Sequence, residues 1–191
     1  MFVFGGGDGK RWLNDLIVFN ITQSEWSGPI ETRGNSPPSG RLQHAAVVFD
    51  KKLFIFGGEP DRFRQLNDLF CLDTTTMTWS EPIVDGIPPS PRVSVTGCLV
   101  NNTVYFFGGF DGQKWLNDLH TLNLESMVWK NQKTYGQIPL ARCRHTANYL
   151  KGKLYIFGGN DCDMSFNNVH NLWIKIEVPS ATLSNDLGNL L

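Results

Sequence analysis

The chain has 191 residues, 17 Lys and Arg against 18 Asp and Glu, and a formal net charge of −1. That length fits one domain or two, and the balanced charge argues against non-specific nucleic-acid binding, which needs surplus cations. No apolar run approaches the ~20 residues of a membrane-spanning helix, the start Met1-Phe2-Val3-Phe4-Gly5-Gly6 lacks the basic region and cleavage site of a secretory leader, and 41% hydrophobic residues support a packed core.

In chain order, the first element is an aromatic strand that runs into Gly5-Gly6. A second strand is expected at Leu13-Asn14-Asp15-Leu16, and a third around Trp26. A Gly34 to Arg41 segment then opens a fuller unit. Its strands are Ala45 to Phe49, Lys52 to Phe56 before Gly57-Gly58, Leu69 to Leu72 after Asn67-Asp68, and Thr78-Trp79-Ser80. The next unit repeats this with Arg92, Gly108-Gly109, Asn117-Asp118 and Trp129. A fourth follows Arg142 with Gly158-Gly159 and Asn167-Asn168, but the expected Trp position holds Pro179. The first glycines lie 52, 51 and 50 residues apart, and each Trp stands 12 residues after its Asn. Repeats of about 50 residues, each with four strands, indicate a β-propeller.

The repeat predicts an all-β arc of four four-stranded blades, about 1–30, 41–82, 92–132 and 142–172, with strand one missing from the first and strand four from the last. Both end blades hold their own second and third strands, so they cannot merge into one. Open edges and blade faces are expected, which invite pairing with other chains, self-association included, so the arc reads either as a fragment of a larger propeller or as one completed by another chain.

The recurring residues are expected to have structural roles. Gly5, Gly6, Gly57, Gly58, Gly108, Gly109, Gly158 and Gly159 would end strands where backbone approaches closely. Trp26, Trp79 and Trp129 would fill the gaps between blades. The Asn-Asp pairs would bond to turn amides.

This pattern resembles the kelch repeat over residues 1 to about 172. In the tail, 173–191, an alternating segment from Trp173 to Val178 precedes Pro179, and Ser180 or Thr182 would cap a helix carrying Leu183, Leu187, Leu190 and Leu191. Residues 182–191 look like the lead-in to a BTB domain, a combination similar to the leucine-zipper-like transcriptional regulator group. That resemblance implies a substrate-recognition part of an adaptor for a cullin-3 ubiquitin ligase, with a small GTPase or another ligase substrate as partner. A kelch scaffold or actin-associated protein without a ubiquitin role is the alternative, and a kelch-type metal oxidase or specifier enzyme a remote one.

The chemistry-bearing residues favour a non-catalytic reading with no cofactor and no metal. Gly5 to Lys10 imitates a phosphate loop, but Phe4 stands where the first Gly belongs and Arg11 where the hydroxyl belongs. His44 and His145 are repeat equivalents, as are His120 and His170, and Val95 interrupts the first set. Cys71, Cys98, Cys143 and Cys162 match no zinc spacing. With no leader, they read as reduced thiols in a cytoplasmic protein, where the sequons at Asn20 and Asn101 carry no meaning. The loops between strands two and three vary most and combine cations with aromatics. Lys10, Arg11, Trp12, Arg62, Phe63, Arg64, Lys114 and Trp115 are therefore the candidate partner-binding residues.

Overall fold

The computed structural model describes residues 1–34 and 37–173. Their fourteen strands form four antiparallel sheets, and no helix long and apolar enough to cross a membrane occurs among them. The first sheet holds β1 (Phe2–Gly7), β2 (Trp12–Asn20) and β3 (Glu25–Ser27). The second holds β4 (Ala45–Phe49), β5 (Lys52–Asp61), β6 (Arg64–Asp73) and β7 (Thr78–Ser80). The third holds β8 (Thr96–Val100), β9 (Thr103–Phe110), β10 (Trp115–Asn123) and β11 (Val128–Gln132). The fourth holds β12 (Thr146–Leu150), β13 (Lys153–Phe157) and β14 (Val169–Trp173). Each sheet is a meander in sequence order, and β4, β8 and β12 lie side by side as the inner strands of an all-β propeller arc. The strand and helix expected after Trp173 fall outside the described residues.

Local chemistry sets the turns. Asp50 and Lys51 both have positive φ, 44° and 59°, the two-residue turn whose twist suits a tight hairpin between β4 and β5. The glycine pairs differ from expectation. In the first three blades they lie inside the strand, at a shift of register such as that between Phe56 and Gly58, and β5 continues to Asp61. Positive φ at Gly57 and Gly58 makes the bulge. A Cβ on Gly58 would stand 2.6 Å from the Leu42 carbonyl, so backbone from the blade entrance occupies the side-chain space.

Both faces of an inner blade are covered. Leu53, Ile55, Phe70 and Leu72 pack toward the first sheet, and Phe54, Phe56, Leu69 and Cys71 toward the third. This explains the near-continuous apolar runs, since alternation is clean only when one face meets water. Trp79, 3% exposed, meets Phe4 at 5.2 Å between ring centroids, and Trp129, also 3% exposed, meets Phe56 at 5.1 Å. Trp26 departs from the expected burial. It is 60% exposed and stacks on Phe19 of its own blade, and among the described residues no sheet packs against this face.

Segments between blades clamp the next outer strand. Asp85 exchanges backbone hydrogen bonds with Met127 and Trp129. Gly86 follows at φ 81°, where a Cβ would collide with the Trp129 carbonyl. Gly34 meets the Trp79 carbonyl in the same way, whereas a Cβ on Gly136 would meet nothing, so this close approach explains the first two of the three glycines that begin the Gly-to-Arg segments.

Candidate partner-binding face

Strand two of each blade ends where strand one begins, so the β1–β2, β5–β6, β9–β10 and β13–β14 loops share one end of the arc with the blade entrances. A carboxylate shapes each loop. Asp8 Oδ1 accepts from the amides of Lys10 and Arg11 at 2.8 and 2.9 Å. Asp61 accepts from Phe63, Asp111 from Gln113 and Lys114, and Asp161 from Asp163 and Met164. At Asp8 the bonds hold the carboxyl below the usual carboxylate range, chiefly through the Arg11 amide. The signal was in the sequence, as an Asp three or four residues after the first glycine of every pair. The loops' varied composition hid it.

The candidate residues divide by location. Lys10, Arg11, Arg62, Arg64 and Lys114 are exposed, and Phe63 is 91% exposed. Asp61 pairs with Arg64 across the β5–β6 turn, which puts Arg62 and Phe63 at its tip. Arg11 and Arg64 lie 3.5 and 3.8 Å from Asp8 and Asp61, exposed pairs worth little in stability. Trp115 packs on Phe110 of its own blade at 4.8 Å. Trp12 is half-buried at the entrance to the second blade, beside Gly40 and the Glu59 carboxyl. The fourth loop carries no cation. It presents Asp161, Asp163 and an exposed Cys162, whose thiol Asp163 pushes up.

Beneath this end lies a polar device that the sequence marked only as a repeated Arg. Arg41 is fully buried and donates to both oxygens of Asp68 at 2.7 and 3.0 Å, and to the Gly57 carbonyl at 3.0 Å. Arg92 repeats the set with Asp118 and Gly108. Their backbones reach the preceding blade, with Arg41 N donating to Leu13 O and Gly6 N to Arg41 O. Each Arg thus fastens two blades. Asp68 and Asp118 accept from arginine here, in contrast with the expected turn amides, and Asn67 and Asn117 donate to the carbonyls of Pro89 and Pro139. In the fourth blade Asn168 replaces Asp, and Arg142 Nη2 is left unpartnered.

The histidines are set in the packing. His44 and His145 meet Phe4 and Phe107 edge-on, and burial brings both down to about 4. His145 Nε2 lies 2.8 Å from Thr96 Oγ1. His120 contacts Asp118 at 2.9 Å. Among the described residues no group of three or more His, Cys, Asp or Glu is arranged to hold a metal ion.

A cavity of about 550 Å³ lies between the third and fourth blades, lined by Tyr105, Leu119, Tyr135, Val169 and Leu172 among others. At the other junctions Trp79 packs with Phe2 and Leu16, and Trp129 with Phe54 and Leu69. Tyr105 and Leu119 are their counterparts, but no described residue supplies the indole. The repeat position for it, 179, lies outside the described residues.

Several known proteins share this repeat. The chain is 35% identical over 119 residues to the leucine-zipper-like transcriptional regulator 1 homolog of Drosophila melanogaster, covering 59% of this chain and 12% of that protein. It is 33% identical over 122 residues to kelch domain-containing protein 3 of Bos taurus, covering 58% and 32%. It is 34% identical over 117 residues to the Rab9 effector protein with kelch motifs of Mus musculus, covering 60% and 30%. The matches thus span less than a third of these relatives' lengths. The family profile for the KLHDC2/KLHL20/DRC7 kelch-repeats domain matches residues 1–178. A match running through all four sheets, together with the repeated glycine, Arg–Asp and Trp contacts, makes the chain a member of the kelch-repeat family.

Proposed function

We propose that this chain is a non-catalytic protein-binding module whose partner meets the loops between strands two and three. Kelch-repeat proteins are generally interaction modules. The observation that carries the reading is the β5–β6 tip, where Arg62 and Phe63 project from a hairpin anchored by the Asp61–Arg64 pair. A rigid base with exposed Arg and aromatic side chains is suited to a binding hot spot. Lys10 and Lys114 extend the positive surface, and an acidic patch on the partner would complement it.

The finer reading is the substrate-recognition part of a cytoplasmic kelch–BTB adaptor for a cullin-3 ubiquitin ligase. The relative named leucine-zipper-like transcriptional regulator 1 homolog supports it. The name Rab9 effector supports a small GTPase as the class of partner. Charge reversal tests the binding face. Arg62→Glu with Arg64→Glu should abolish partner capture while leaving the circular dichroism spectrum unchanged, and capture that survives in the folded variant removes these loops from the site. The adaptor reading is tested by the endogenous protein's mass and C-terminal peptides. A BTB domain following the repeats supports it, and a product near 21.5 kDa overturns it.

A further inference from the structure

The second and third blades each carry a buried arginine whose charge is met inside the blade. Nη1 of Arg41 and Arg92 donates to Oδ1 of Asp68 and Asp118, and Nη2 donates to Oδ2 at 3.0 and 2.9 Å. A serine hydroxyl two residues upstream, Ser39 or Ser90, takes a further bond from Nη2 at 3.3 or 2.9 Å. Arg142 stands in the same place in the fourth blade and is 0% exposed. Its Nε donates to the Leu140 carbonyl, and its Nη1 to the Gly158 carbonyl and to Oδ1 of Asn168. Both partners of Nη2 are replaced, Asp by Asn168 and Ser by Leu140, and Nη2 is left without one. The replaced residues belong to this blade's own entrance and to the start of β14, inside the described residues.

A guanidinium stays charged in a protein, and a buried charge without a counter-charge is costly. Phe166 lies 4.2 Å from the Arg142 guanidinium, which supplies ring electrons and no counter-charge. Asp161 acts on it through space, but its Oδ1 is taken by the amides of Asp163 and Met164. Oδ1 of Asn168 accepts from Nη1 as Oδ1 of Asp118 does for Arg92, so the place of the second carboxylate oxygen falls to Nδ2. Two donors, Nη2 and Nδ2, then meet where the earlier blades pair a donor with an acceptor. We propose that the fourth blade binds a small monovalent anion, chloride, between Arg142 Nη2 and Asn168 Nδ2. The ion supplies an acceptor for both donors and the missing negative charge, whereas a water molecule supplies only the acceptor. One negative charge is enough, because one carboxylate does the same for Arg41 and for Arg92. The ion fastens the fourth blade as Asp68 and Asp118 fasten theirs, and its binding is independent of what the loops capture.

Chloride-35 NMR and urea unfolding of the whole chain test this. The parent should broaden the chloride line, and Asn168→Asp, which supplies the carboxylate, should lose that broadening. Exchanging gluconate for chloride at constant ionic strength should lower the parent's unfolding constant about tenfold when chloride is at about ten times its dissociation constant, and that of Asn168→Asp by less than about twofold. Leu140→Asp, at an exposed position, brings a carboxylate to the side of Nη2 that Ser90 occupies at Arg92, and should remove the chloride dependence in the same way if Asn168→Asp does not fold. Equal urea midpoints of the parent in the two salts, or equal linewidths with parent and variant, overturn the site and leave water as the partner of Nη2. A chloride effect that survives in the folded variants overturns it as well, since the ion then binds elsewhere.

Discussion

Arg92 and Arg142 occupy the same place in successive blades and differ in one partner. Arg92 meets a carboxylate at Asp118, whereas Arg142 meets the amide of Asn168 and keeps an orphan Nη2. Removing one member of a buried pair costs about 3–5 kcal/mol, so Arg92→Ala should lower the urea midpoint sharply. Asn168→Asp should raise the unfolding free energy by about 1 kcal/mol, since a charged hydrogen bond replaces a neutral one at an exposed position. An Asn168→Asp variant no more stable than the parent would contradict this account of the fourth blade. The histidines predict the response to acid. His44 and His145 are held near 4 by burial, so only the unfolded chain takes their protons as pH falls below about 6.5. Their contribution is present at neutral pH and is lost between about 6.5 and 4, roughly 2 kcal/mol for each by pH 5. Asp118 adds a loss at lower pH. Burial raises it, but hydrogen bonds from His120 and Arg92 outweigh this and bring it far below the usual range. Denaturant titrations at pH 7 and pH 5 check the histidine effect, and equal midpoints would refute it.

At the scale of the element, short strands with their own side-chain signal were legible. The stretches Ala45–Phe49 and Thr78–Ser80 match the sequence reading residue for residue, because small apolar residues and a flanked Trp mark them. Strands β5 and β6 run further than their apolar cores, to Asp61 and from Arg64. Past the bulge the pairing is carried by backbone, which side-chain periodicity does not report. The Trp residues were legible as repeat markers, but their burial depends on a neighbour. Trp79→Ala should cost about 3–5 kcal/mol by loss of a packed ring. Trp26→Ala should change the monomer's stability by no more than about 0.5 kcal/mol. Equal losses from the two substitutions would show that the interblade position is not what buries the indole.

At the scale of the molecule, the repeat made the arc and its 3-, 4-, 4- and 3-stranded sheets readable, since four copies of one pattern leave little freedom in topology. The binding end was legible in composition and hidden in geometry. Nothing in the residue types separates Phe63, which points into solvent, from Trp115, which packs on Phe110. The Arg–Asp fastening was equally hidden, because its members lie 26 or 27 residues apart and meet only when the sheet forms.

The central claim, that a protein partner meets the loop end of the arc, is tested most directly by lysine-reactive footprinting of the chain with and without its captured partner. Lys10 and Lys114 lie at the loop end, and Lys51 lies in the β4–β5 turn at the opposite end. The account predicts that the partner protects Lys10 and Lys114 and leaves Lys51 as reactive as in the free chain. Protection of Lys51 with Lys10 and Lys114 still reactive would contradict it.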